Sequence, residues 1–247
     1  MSLNTYSLDL EASSSQFAFI TDANQTGLDI TGDMTFELWF KPESSPASGQ
    51  TMCFVSKYGT AGAHANNRSY QLQYFNNAGS YQIGMNVSTN GTVGASGGLY
   101  VGVPQFTHGV WVHIALVFTA SLGKIEVFTA NVSRGTNTSA RTSIFAGTAD
   151  FVIGAAAEGA SSFVDGCMDE VRIWNTARSA AQISANYQTQ LVGNEAGLVG
   201  YWKFNNDYTS ATPNGNNLTA SNSSVFSTSV PFAGSNDNKG NFLSFLS

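Results

Sequence analysis

Apolar and polar residues alternate with a period of two along most of this chain, in short runs separated by turns of Gly, Asn and Ser. Because successive side chains of a strand point to opposite faces, each such run predicts a strand with one buried and one outward face. Eleven runs qualify: Ser7 to Glu11, Gln16 to Thr21, Met34 to Pro42, Met52 to Gly59, Ser69 to Phe75, Ser80 to Ser88, Trp111 to Thr119, Lys124 to Thr129, Asp150 to Ala155, Met168 to Trp174 and Leu198 to Phe204. Only Ala177 to Tyr187 reads as a helix, with Ala180, Ile183 and Tyr187 at helical spacing and Thr176 or Asn175 as its N-cap. Many short strands and a single helix predict an all-β fold, a two-sheet antiparallel β-sandwich.

The pattern also sorts residues by face. In SYQLQYF and SYQIGMNVS, Tyr70, Leu72, Tyr74, Ile83, Met85 and Val87 fall on one side. Gln71, Gln73, Phe75, Gln82 and Asn86 fall on the other. A hairpin through NNAGS would line up the second set as an exposed ladder of amides with one aromatic. Amides donate and accept together, as sugar hydroxyls require, so Gln71, Gln73, Gln82 and Asn86 are the candidate ligand-binding residues.

Three segments carry more than periodicity: MTFELWFKP (Met34 to Pro42), GVWVHIALVF (Gly109 to Phe118) and FVDGCMDEVRIW (Phe163 to Trp174). In this order they resemble the laminin-G-like jelly-roll domains of the concanavalin A-like lectin and glucanase superfamily, from about Ser7 to about Phe232. The resemblance implies one concanavalin A-like domain over residues 1–247, with residues 205–247 as a C-terminal extension lying back on the sandwich. It also implies a structural Ca²⁺ held by Asp169, with Asp9, Gly32 and Asp33 at the other positions of the shell. A carboxylate completed by carbonyls and waters suits calcium, which takes about six to eight oxygens. The alternative is that Asp169 and Glu170 pair with a cation on a neighbouring strand, Arg172 being the nearest in sequence.

Composition narrows the function. Charged residues make up 11% of the chain, less than half the usual share of about 25%. The surface is therefore built from Ser, Thr, Asn, Gln and Gly, as in extracellular, cell-surface or virion proteins. A net charge of −6 with ten scattered basic residues excludes a phosphate-backbone partner, so no nucleic acid is expected. No apolar run is long enough for membrane insertion, and the first residues have neither the basic nor the apolar region of a signal peptide. Cys53 and Cys167 read as buried free thiols. His64, His108 and His113 do not form an acid–base set. The glucanase pattern of paired carboxylates on one strand is missing, with Glu37, Glu43, Glu126 and Glu158 isolated, so no enzyme is expected. The expected function is a non-catalytic carbohydrate-binding or adhesion module, with a glycan or surface protein as partner. The alternative is an assembly subunit, a homo-oligomer docking through the apolar end Asn241 to Ser247.

Overall fold

The computed structural model describes residues 4–232. The chain forms β1 (Ser7–Leu10), β2 (Phe17–Ile20), β3 (Met34–Pro42), β4 (Thr51–Gly59), β5 (Asn67–Asn77), β6 (Ser80–Gly91) and β7 (Ser96–Gly102). It continues through β8 (Val112–Thr119), β9 (Lys124–Thr129), β10 (Val132–Thr138), β11 (Phe151–Ile153) and β12 (Gly166–Trp174). After the helix α1 (Ala180–Asn186) come β13 (Leu198–Trp202), β14 (Thr219–Ser221) and β15 (Val225–Ser227). The first sheet has eight strands, in the order β10-β9-β8-β3-β12-β1-β15 with β13 also on β12. The second has seven, in the order β14-β2-β11-β4-β5-β6-β7, and the named strands pair antiparallel throughout.

All eleven sequence-predicted strands form. Their inward residues meet in one core: Phe36, Leu38 and Phe40 of β3, Leu116 and Phe118 of β8, and Met168 and Ile173 of β12 face Phe54, Tyr70, Leu72, Ile83 and Met85 of the second sheet. Each of these apolar side chains removed from water contributes on the order of 1.5–3 kcal/mol before the entropy of ordering it is subtracted. The β5–β6 hairpin turns through Ala78 and Gly79, with φ of 52° and 91°, the primed geometry that follows the twist of the flanking strands.

Four strands were not visible in the pattern. β7 is glycine-rich, β10 is polar and outward along its length, and β14 and β15 lie in the Asn/Ser/Thr-rich tail. That tail adds an edge strand to each sheet, β14 on β2 and β15 on β1. Fully buried Asn216 pins it back by donating to the carbonyls of Thr26 (2.9 Å) and Val199 (3.0 Å). The segment Asn241 to Ser247, on which the assembly reading rests, lies outside the described residues.

The helix begins later than its spacing suggested. Ser179, not Thr176 or Asn175, is the N-cap, and Gln182 three residues on completes a capping box. Residues 175–178 are instead tied to β3 and to the turn before β13: the Arg178 N–H donates to Thr35 Oγ1 and the Asn175 N–H to Gly197 O. Tertiary hydrogen bonds override local helical preference here. Among the described residues no helix is long and apolar enough to cross a membrane.

Candidate functional site

A sandwich has two outer faces, and this one covers the first with its own chain. Residues 175–197, including α1, lie across β3, β8 and β12. Ile183 packs on Ala115, Val117 and Phe128, while Trp39 donates to Tyr187 O at 2.8 Å and stacks on the Tyr187 ring. Beneath this strap sit most of the chain's buried charges. Arg178 donates to Glu37 at 2.6 Å and Arg172 to Glu170 at 2.7 Å, all four side chains being nearly or fully buried. Burial pushes the Glu37 carboxyl up, but neighbouring His113, Arg172 and Arg178 more than offset it and hold it below the ordinary value. His113 is sealed in the same cluster, where burial keeps its imidazole below its ordinary range. Paired and buried, these groups hold the strap to the sheet.

A bulge shapes this network. Between Asp169 and Arg172 the register of β12 against β3 shifts, and Glu170 takes a left-handed φ of 52°. The extra residue lets Met168 and Val171 both enter the core while Asp169 and Glu170 both face outward. Glu170 takes the cation, Arg172, that the ion-pair alternative named. Among the described residues Asp169 takes none: Asn4 Nδ2 donates to its Oδ2 at 2.8 Å and the Glu170 N–H to its Oδ1 at 2.7 Å.

The four residues expected to share a calcium ion are not brought together. Asp169 lies opposite Trp39, whereas Asp33 is six residues away along β3, about 20 Å at roughly 3.4 Å per residue. There Asp33 accepts from the Ala120 N–H at 2.7 Å, with Gly32 beside it. Asp9 pairs in register with Cys167, and its carboxylate, that of Glu43 and the Cys167 thiol come within 4.8 Å of one another. Both oxygens of Asp169 already accept protein donors and its partners are dispersed, so these residues do not fit one calcium shell.

Burial, and after it the charge of Glu170, push the Asp169 carboxyl well above its ordinary 3.8. The folded state therefore keeps a proton that the unfolded chain has released. Stability from this group is full below that ordinary value and is lost as pH rises toward the raised one. Asp169→Asn should accordingly be no less stable than wild type at neutral pH, with an advantage that grows over that window. The unpartnered Asn4 Oδ1 can turn to accept from the new amide. Asp169→Ala, which strands both donors, should lose about 1–3 kcal/mol in urea melts. EDTA should leave the melting temperature unchanged. A chelator-induced drop, or an Asn variant as damaged as the Ala one, would restore the metal reading.

The second sheet exposes its outer face mainly at β6 and β7, through Gln82, Asn86, Gly98, Tyr100 and Gly102. Its register runs in one row from Thr219 through Phe19, Val152, Ser56, Gln71 and Asn86 to Gly98. The adjacent row is Cys53, Gln73, Gly84 and Tyr100. Tyr100 does not project outward from β7. Its ring lies flat over Gly84 and Gly98, so that a Cβ on either glycine would come 2.2 Å from a ring carbon. Only glycine permits this approach. The flattened ring brings its hydroxyl to Gln73 Oε1, to which it donates at 2.8 Å, and to Asn86 Oδ1 at 3.2 Å. Asn86 Nδ2 donates to Gln73 Oε1 (3.0 Å) and Gln71 Oε1 (3.2 Å), and Gln73 Nε2 donates to Gln71 Oε1 (3.1 Å). Phe75 flanks the platform with its centroid 5.7 Å from that of Tyr100.

Three of the four predicted amides thus form one network, and Gln82 borders it, in register with Phe75 and Gly102. Their exposure differs from expectation. Gln71 is 3% and Gln73 6% exposed, because the amides bond sideways to one another beneath the tyrosine instead of standing in solvent. Tyr100 itself escaped the sequence reading because β7 alternates weakly. The available signal was a tyrosine two residues after a glycine, Gly98, facing a strand interrupted by Gly84.

Elsewhere, both cysteines are free and buried, and burial pushes their thiols up, Cys167 to about 11.

A family model described as the concanavalin A-like lectin/glucanases superfamily, Laminin_G_3, matches residues 12–184. A heptameric SAP-like pentraxin from Limulus polyphemus shares the fold at 13% identity and a TM-score of 0.62, over 90% of this chain and 94% of that one. The Ruminococcus gnavus IT-sialidase CBM40, bound to α2,6-sialyllactose, does so at 12% identity and 0.53, over 74% of this chain and 97% of that one. The enzymatically active domain of bacteriophage CBA120 tailspike protein 2 does so at 14% identity and 0.53, over 81% of this chain and 32% of that one. At these identities the likeness is one of fold. No curated protein matches the chain in sequence.

Proposed function

The chain belongs to the concanavalin A-like lectin/glucanases superfamily, and on that premise we propose that it is a non-catalytic carbohydrate-binding module, acting outside the cell or on a virion surface. The observation that carries this reading is the Tyr100 ring laid flat on the open sheet, bordered by Gln71, Gln73 and Asn86. A sugar ring offers an apolar C–H face that packs on an aromatic plane, while its hydroxyls exchange hydrogen bonds with amides. The sialyllactose held by the CBM40 fold gives a precedent for sugar binding on this architecture. The acids under the strap, Glu37, Asp169 and Glu170, are at most 1% exposed, out of reach of a glycosidic bond.

Gln71 and Gln73 are engaged beneath the ring, which leaves half-buried Asn86 and neighbouring Gln82 to meet the sugar. At about 0.5–1.5 kcal/mol net for each hydrogen bond to a neutral hydroxyl, a tyrosine platform with two such amides predicts a dissociation constant near the millimolar range, corresponding to roughly 4 kcal/mol. A glycan array with multivalent display should show retention of a restricted glycan set, with no reducing ends released on prolonged incubation. Turnover of any retained glycan would replace this reading with a hydrolase. Retention of none would end it.

A further inference from the structure

The tyrosine platform occupies one end of the open face. At the other, Phe17, Phe19, Asp150, Val152, Glu158 and Ser221 line a cleft of about 220 Å³. Its floor is apolar. The Phe17 and Phe19 rings are half-buried with centroids 5.9 Å apart, and Val152 lies in register beside Phe19. Its rim is acidic. The loop after β11 folds back so that Glu158 Oε1 accepts from the Asp150 N–H at 3.3 Å and meets His64 Nδ1, while Asp150 Oδ1 accepts from the Asp22 N–H at 3.0 Å. Among the described residues no donor reaches Asp150 Oδ2 or Glu158 Oε2. The loop is bent to achieve this: Ala157 and Glu158 both hold left-handed backbone, φ 47° and 60°, just before Gly159 at 83°. Side chains adopt that conformation only where their surroundings enforce it.

We propose that this cleft is a second subsite that takes one pyranose ring of an uncharged glycan. The ring's C–H face rests on Phe17 and Phe19, and its hydroxyls donate to Asp150 Oδ2 and Glu158 Oε2. Two carboxylates on one rim repel a sialic or uronic acid, so the site selects against acidic sugars. Phe19 and Asn86 share a row but stand four strand spacings apart, about 19 Å at roughly 4.8 Å each, so cleft and platform hold separate rings. The inference rests on the carbohydrate-binding reading above.

An NMR titration tests it, using a neutral oligosaccharide and its counterpart of equal length capped with an acidic sugar. Signals of Phe17, Phe19 and Val152 should shift with the neutral ligand, and at least about tenfold more acidic ligand should be needed for the same shift. Asp150→Asn with Glu158→Gln, which keeps the two engaged oxygens as acceptors, should largely abolish that discrimination. Tyr100→Ala should leave the cleft response in place. If the Tyr100 signals respond while those of the cleft stay still, the second subsite is overturned and the carbohydrate-binding reading stands. If neither responds, both fail. A cleft that answers to simple alkylammonium ions but not to the neutral sugar overturns the assigned ligand class.

Discussion

Replacing Arg172 with methionine should destabilise the fold by about 3–5 kcal/mol, the usual cost of removing one partner of a buried ion pair. The guanidinium is 1% exposed. It donates to Glu170 Oε2 at 2.7 Å and to the strap carbonyls of Thr189 (2.6 Å) and Asn186 (3.0 Å), with its carbon 5.3 Å from the Tyr201 ring centroid. Its loss leaves the Glu170 charge in the interior and removes donors from two carbonyls of the strap. The penalty is mainly that of stranding Glu170, so Arg172→Met combined with Glu170→Gln should recover much of the stability. Urea denaturation measures both, and Trp39 fluorescence, sensitive to the Tyr187 stack, reports whether the strap lifts. A single variant that loses less than about 1 kcal/mol, in the range of an exposed pair, would mean that the strap is held by its apolar contacts.

The second large effect is on binding. Tyr100→Ala should weaken glycan retention by about thirtyfold, or about 2 kcal/mol, the scale on which tyrosine anchors of recognition sites contribute. Tyr100→Phe should fall between, keeping the plane and losing the hydroxyl bonds to Gln73 and Asn86. Tyr100 is only half-buried, so its truncation should move the melting temperature little. Gln73→Ala behaves differently, because its Oε1 accepts from both Tyr100 and Asn86. It should cost binding and about 1 kcal/mol of stability together. Calorimetry of the array-selected glycan against the three variants checks this, and retention that survives Tyr100→Ala would move the primary site off the platform.

Much of this was written into the sequence. Alternation is a local property, and it determined the eleven strands, the inward set around Tyr70, Leu72 and Ile83, and the outward placing of Gln71, Gln73 and Asn86. The order of the MTFELWFKP, GVWVHIALVF and FVDGCMDEVRIW segments indicated the family. What alternation does not contain is which strand lies beside which and what covers a face, since these depend on pairings between residues far apart in the chain. Only the tertiary structure joined β7 to β6, and so laid Tyr100 across Gly84 and Gly98. Only the bulge at Glu170 separated the two acids of β12 into one that meets Arg172 and one that meets Asn4. Register along β3 placed Asp33 far from Asp169, although the resemblance had grouped them. Folding of residues 175–197 onto the first sheet closed one outer face and left the other for a ligand, because Trp39, His113 and Arg172 offered that segment partners and the amide-lined sheet did not.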